Sequence, residues 1–142
     1  MCTMYRLLKR IIAVFLLTTT ALAYAEVSVI VHPNNQAEIS LSDIKRIFLG
    51  MKRSYPNGNE AIPISYQANT ELSKEFSKKV LDKSSHQLKA YWAKRLFTGK
   101  GTPPKVMDNI EHIVILVANN PSLIGFVPSD AVNETVRVVD TY

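Results

Sequence analysis

Residues Phe97 to Val106 read FTGKGTPPKV, and the glycines within them admit two opposite readings. Gly99-Lys100-Gly101-Thr102 has the look of a phosphate cradle, in which bare backbone amides wrap an anion. A Walker A loop, however, needs a glycine, four residues and then Gly-Lys-Ser/Thr, running from a strand into a helix. Here Gly101 follows Gly99-Lys100, Lys94 stands five before Gly99, and Pro103-Pro104 follow. The preceding residues carry a helical pattern. Gly99 therefore belongs where a left-handed residue closes a helix, and Gly101 to Pro104 make a rigid exit turn. The stretch marks the end of a helix in an α/β chain and not an NTPase.

The start of the chain reads as an export signal. Arg6, Lys9 and Arg10 precede the apolar run IIAVFLLTTTALA, and Ala23-Tyr24-Ala25 supplies a small-residue cleavage site. That order is expected of a signal peptide over residues 1–25. Removing it from the 142 residues leaves 117, enough for one modest core. It also removes three of the 17 basic residues and none of the 12 acidic ones, so the formal charge falls from +5 to +2. A mixed surface of that kind does not point to nucleic acid. The single cysteine, Cys2, lies in the same segment, so the remaining chain has no disulfide framework, thiolate metal site or cysteine nucleophile. The expected location is the periplasm.

Periodicity orders the remainder. Val27, Val29 and Val31 read as a strand stopped by His32-Pro33-Asn34-Asn35. Ser40 with Asp43 forms a capping box for a helix whose apolar stripe is Leu41, Ile44, Ile47 and Phe48, with Gly50 at its end. Tyr55-Pro56-Asn57-Gly58-Asn59 is turn chemistry, and Ile62, Ile64 and Tyr66 alternate as a second strand, Pro63 suggesting its beginning or an edge. Asn69 or Thr70 caps a helix with Leu72, Phe76 and Val80 inward, and Ser84 with Gln87 opens another that buries Leu88, Tyr91, Trp92 and Leu96. Asp108 with Glu111 forms a third box before IEHIVILVA, which its cap and the Asn119-Asn120-Pro121 stop favour as helix although its β-branched residues also suit a strand. Ile124 to Val127 and Val136 to Val139 close the chain as strands. Strands alternating with helices imply an α/β fold with a mostly parallel sheet flanked by helices.

Several of these segments, in order, carry a resemblance. Leu41-Ser42-Asp43-Ile44 with Ile47-Phe48-Leu49-Gly50, then Ile62-Pro63-Ile64, then Trp92 with Phe97 to Pro104, then Asn120 to Val127, look like short exported proteins similar to the phosphate-binding proteins of ABC transporters. Those belong to the type 2 periplasmic-binding-protein superfamily. The resemblance spans nearly all of residues 27 to 139 and implies a single-lobe domain over 26–142 that captures a small oxyanion such as phosphate for an ABC permease. Two departures stand beside it. Full members hold the ligand between two lobes, and 117 residues supply about one; a homodimer or another periplasmic protein would be needed to close the cleft. The phosphate binders also place an Arg and a Ser-Gly-Thr turn after the second strand, where this chain has Ser65-Tyr66-Gln67-Ala68-Asn69-Thr70-Glu71.

The ligand-binding candidates are therefore Tyr66, Gln67, Asn69 and Thr70. A helix N-terminus presents free N–H groups and about half a positive charge, and Gln67, Asn69 and Thr70 add neutral donors. Asn69 and Thr70 are equally good as ordinary caps, and the alternative is an interaction or adaptor protein that keeps the fold without a ligand. Asp108 and His112 lie four apart but make too thin a metal site, no serine sits in a nucleophile elbow, and no carboxylate pair stands out. The expectation is no enzyme, metal or cofactor.

Overall fold

The computed structural model describes residues 26–142; the expected signal peptide lies outside them. The elements are β1 (Val27–Val31), α1 (Leu41–Phe48), β2 (Ile62–Tyr66), α2 (Glu71–Lys79), α3 (Ser85–Phe97), β3 (Lys105–Met107), α4 (Ile110–Asn119), β4 (Leu123–Pro128), a 3-10 turn (Ser129–Ala131) and β5 (Arg137–Thr141). Among the described residues no helix is long and apolar enough to cross a membrane.

The sheet has the order β3-β2-β4-β1-β5. β2 pairs in parallel with both β3 and β4, whereas β1 pairs antiparallel with β4 and β5. Four strands therefore share one direction and β1 alone opposes them, so two of the four pairings are parallel and two antiparallel, a mixed sheet within the α/β fold expected from the alternation of elements. Every residue of β1 is buried, as a strand covered on both faces requires. Pro63 is tolerated because β3 pairs with β2 only from Ile64 onward, so β2 is still an edge on that side at Pro63.

Each face of the sheet carries its own apolar layer. On one face Val29, Val31, Ile124 and Phe126 meet Ile44, Ile47 and Phe48 of α1 and Leu72 and Phe76 of α2. On the other, Ile30, Ile64 and Val127 meet Ile113, Val114 and Val117 of α4. Gly125 permits that second contact: a Cβ there would lie 2.9 Å from Ile113 Cγ2. In the first layer the Phe76 and Phe126 rings stack at 3.9 Å, and Phe48 meets Phe76 edge-on at 4.8 Å, a favourable aromatic geometry.

Local capping chemistry sets where the helices begin. Ser40 and Asp43 exchange both hydrogen bonds of a capping box, and so do Ser84 and Gln87. Lys52 Nζ donates to Asp43 Oδ1 at 2.8 Å; that bond and Ser40 hold the Asp43 carboxyl at about 2. Three expectations need correction. α4 is capped by Asn109, whose Oδ1 accepts from Glu111 and His112 N–H; an Asx side chain one residue closer to the first turn displaces Asp108 from the role. Leu96 is 52% exposed, because it lines the open cleft instead of the core. Lys105–Met107 is a short strand that sequence periodicity did not announce.

The glycine-rich stretch resolves as a helix stop. Gly99 has φ +68°, and Gly99 N–H and Lys100 N–H return to Leu96 O and Arg95 O at 3.2 and 2.9 Å. Gly50, with φ +70°, ends α1 in the same way, but a Cβ on it would meet the Trp92 ring at 3.1 Å, whereas nothing lies within 4 Å of one on Gly99. Gly99→Ala should therefore cost only the backbone term, about 1 kcal/mol. Gly50→Ala should cost about 2 kcal/mol or more, since the ring must also shift. Chemical denaturation of the two variants measures this; equal losses would mean that the Gly50–Trp92 approach does not matter.

Candidate functional site

The candidate region lies at the carboxyl ends of β2 and β3. The chain leaves β2 into α2 and α3 on one face of the sheet, and leaves β3 into α4 on the other. Neighbouring strands whose connections part in this way open a crevice at their carboxyl ends, the usual ligand position in open α/β sheets.

A cleft of about 560 Å³ opens beside it on the α2/α3 face of the sheet, with Ser65, Tyr66, Asn69, His86, Lys89 and Trp92 in its lining and no residue of α4. Phe48, Phe76 and Phe126 form its floor, and Leu88, Leu96 and Val106 its apolar sides. Ser73 and Ser77, buried polar residues on the inner face of α2, also reach it. Its charged lining residue is Lys89, accompanied by the imidazole of His86, with no carboxylate among the described lining residues. Neither of them takes part in the ion pairs found among the described residues. A second cavity of about 520 Å³ lies beyond Pro103-Pro104 and shares Trp92 with the first; its lining includes Lys52, Arg53 and Glu60.

The wall formed by α3 is tied to the end of α1. Tyr91 donates its hydroxyl to Leu49 O at 2.6 Å, and Arg95 Nη2 donates to Gly50 O at 3.2 Å and Lys100 O at 2.8 Å. The same guanidinium lies over the Tyr91 and Trp92 rings at 5.6 and 6.0 Å, a cation–π geometry. Gly101 lets the exit turn close against it, since a Cβ there would sit 3.3 Å from Arg95 Nη2. The glycines and prolines of residues 97–106 thus pin α3 in place instead of holding an anion.

The four candidate residues divide in the structure. Tyr66 and Asn69 line the cleft. Thr70 is the N-cap of α2: its hydroxyl donates to Gln67 O at 2.8 Å and accepts from Ser73 N–H at 3.3 Å. Gln67 is exposed, and its carbonyl serves that turn. Ser73 Oγ donates to Tyr66 O at 3.2 Å, locking the first turn of α2 to the end of β2. Glu71 points outward and pairs with Lys74 at 3.3 Å, a weak surface contact. Sequence reasoning missed Ser73, Ser77, His86 and Lys89. The serines carried a signal, because Ser73 stands three before Phe76 and Ser77 three before Val80, spacings that share the inward helical face.

With that geometry in place, comparison with known proteins is informative at the level of fold. The sequence matches no family model and no curated protein. Solved structures do match. An ABC-type phosphate transport receptor from Vibrio cholerae aligns with TM-score 0.61 at 13% identity, over 82% of this chain and 46% of its own. A Clostridium perfringens protein assigned as a phosphate ABC transporter substrate-binding protein, solved with bound phosphate, aligns with TM-score 0.62 at 19% identity, over 82% of this chain and 45% of its own. PstS from Borrelia burgdorferi gives TM-score 0.58 at 10% identity, over 81% and 47%. The chain has the fold of one lobe of these phosphate-binding proteins, and it spans less than half of their length.

Proposed function

We propose that the chain is an exported, solute-binding-protein-like lobe that takes a small oxyanion, with phosphate the first choice, for an ABC-type uptake system. The observation that carries the reading is the cleft beside the carboxyl end of β2, between α2 and α3, in a fold shared with phosphate-binding proteins. The anion would lie between the start of α2 and Lys89. Asn69 offers a neutral donor and Lys89 a cation in the cleft lining, which His86 also joins, and the start of α2 next to Asn69 adds its dipole. Tyr66 shapes the crevice. Thr70 and Gln67 act indirectly, by fixing the turn at the start of α2. The reading involves binding without chemistry, so the chain is no enzyme. A permease, and a partner or second copy closing the open side, complete the proposal.

One observation favours the adaptor reading. The Thr70 hydroxyl is spent on the Gln67 backbone carbonyl, and the cleft lining contains no arginine among the described residues, so tight capture of a dianion lacks the bidentate donor that usually supplies it. Affinity should accordingly be weak and salt-sensitive.

Titration with phosphate and with sulfate, followed by NMR amide shifts, separates the two. Residues 66 to 72 should move at millimolar anion. Glu71→Gln should tighten binding modestly by removing a like charge from the helix start, and Thr70→Ala should weaken it through the lost cap, about 1 kcal/mol. If residues 66 to 72 stay still at millimolar anion, the adaptor reading replaces this one. Export carries its own check: amino-terminal sequencing of protein recovered from the periplasm of a Gram-negative host should begin at Glu26, and a membrane-bound product retaining Met1 would contradict it.

A further inference from the structure

The cleft is far larger than a bare oxyanion and mostly apolar. A volume of about 560 Å³ falls in the range of sites for drug-sized molecules, which combine apolar walls with a few placed polar groups. A lone phosphate ion would occupy one corner and leave the apolar sides against water, the Phe48, Phe76 and Phe126 floor being already buried. Leu96 and Val106, 52% and 57% exposed, stand at its sides, where an apolar guest would cover them.

Resting on the oxyanion reading above, we propose that this cleft takes an organic phosphate: a phosphate monoester whose head meets Asn69, the start of α2 and Lys89, and whose apolar body lies along Trp92, Leu88, Leu96 and the phenylalanine floor. Charge complementarity selects an anionic head, since the charged lining residue is Lys89 and no carboxylate lies among the described lining residues. The hydrophobic effect selects the body, because each methylene removed from water adds to affinity. The two requirements sit at different parts of one cleft, which is what an amphiphilic anion presents.

Trp92 is the chain's one tryptophan and lines the cleft, so its fluorescence reports occupancy of the apolar part directly. The test titrates the chain beginning at Glu26 with hexyl phosphate, orthophosphate and hexanol at low salt, reading Trp92 emission and the amide shifts of residues 66 to 72. Hexyl phosphate should change both signals and bind at least about tenfold more tightly than orthophosphate. Lys89→Glu should weaken hexyl phosphate about fivefold or more, with the loss shrinking at high salt. Leu96→Ser should weaken hexyl phosphate while leaving orthophosphate unchanged; both residues are exposed, so the fold is spared. If orthophosphate moves residues 66 to 72 and hexyl phosphate binds no tighter, the organic-phosphate proposal falls and the oxyanion reading stands. Hexanol binding as well as hexyl phosphate would overturn the proposal by showing that the head contributes nothing. If neither anion moves either signal, both readings fall together.

Discussion

Two carbonyls at the end of α1 fix the position of α3, and through it the existence of the cleft. A helix that ends in a left-handed glycine exposes its last carbonyls, and α3 answers Leu49 O with the Tyr91 hydroxyl and Gly50 O with the Arg95 guanidinium. Gly50 gives up its side chain so that Trp92 can lie against it, and Arg95 closes its own helix by also holding Lys100 O. Without these ties α3 would keep little beyond Trp92 and its half-buried neighbours to bind it, since of its residues only Trp92 is buried. The cleft would then lose the wall that carries Lys89 and Leu96.

The opposite boundary is set by the sheet. β1 runs against its neighbours, and β2, β3 and β4 run together beside it. The helices after β2 and β3 pack on different faces, and the cleft opens on the face that carries α2 and α3. The packing of α4 on Gly125 and the stack of Phe76 on Phe126 hold the two layers on either side of β4, so the floor of the cleft is also the centre of the core. A guest in the cleft would touch residues whose positions are already fixed by the fold, which favours a pre-formed site over one assembled on binding.

Much of this was legible in the residues. The Ser40–Asp43 and Ser84–Gln87 boxes, the left-handed Gly99, and helix rather than strand for Ile110–Asn119 are local effects that short-range pattern encodes. The rest depends on tertiary context. Lys105–Met107 has two exposed residues and becomes a strand because β2 offers it a partner. Leu96 shares the helical face of Leu88 and Trp92, yet it lines the open cleft instead of the core. The reversal of β1 leaves no trace in its own alternation. At the site, donors counted along the sequence did not reveal that the Thr70 hydroxyl is spent on the Gln67 carbonyl, nor that Lys89, some twenty residues on, lines the same cleft as Asn69.

The Tyr91 and Arg95 ties hold α3 as the cleft wall independently of the sheet's own stability. Amide hydrogen exchange on Arg95→Gln, compared with the parent chain, tests this most directly. Amides of α3 should exchange at least about tenfold faster while those of β1 and β4 keep their protection, the pattern of a locally released unit. Unchanged exchange in α3, or an equal rise throughout β1, β4 and α3, would contradict it.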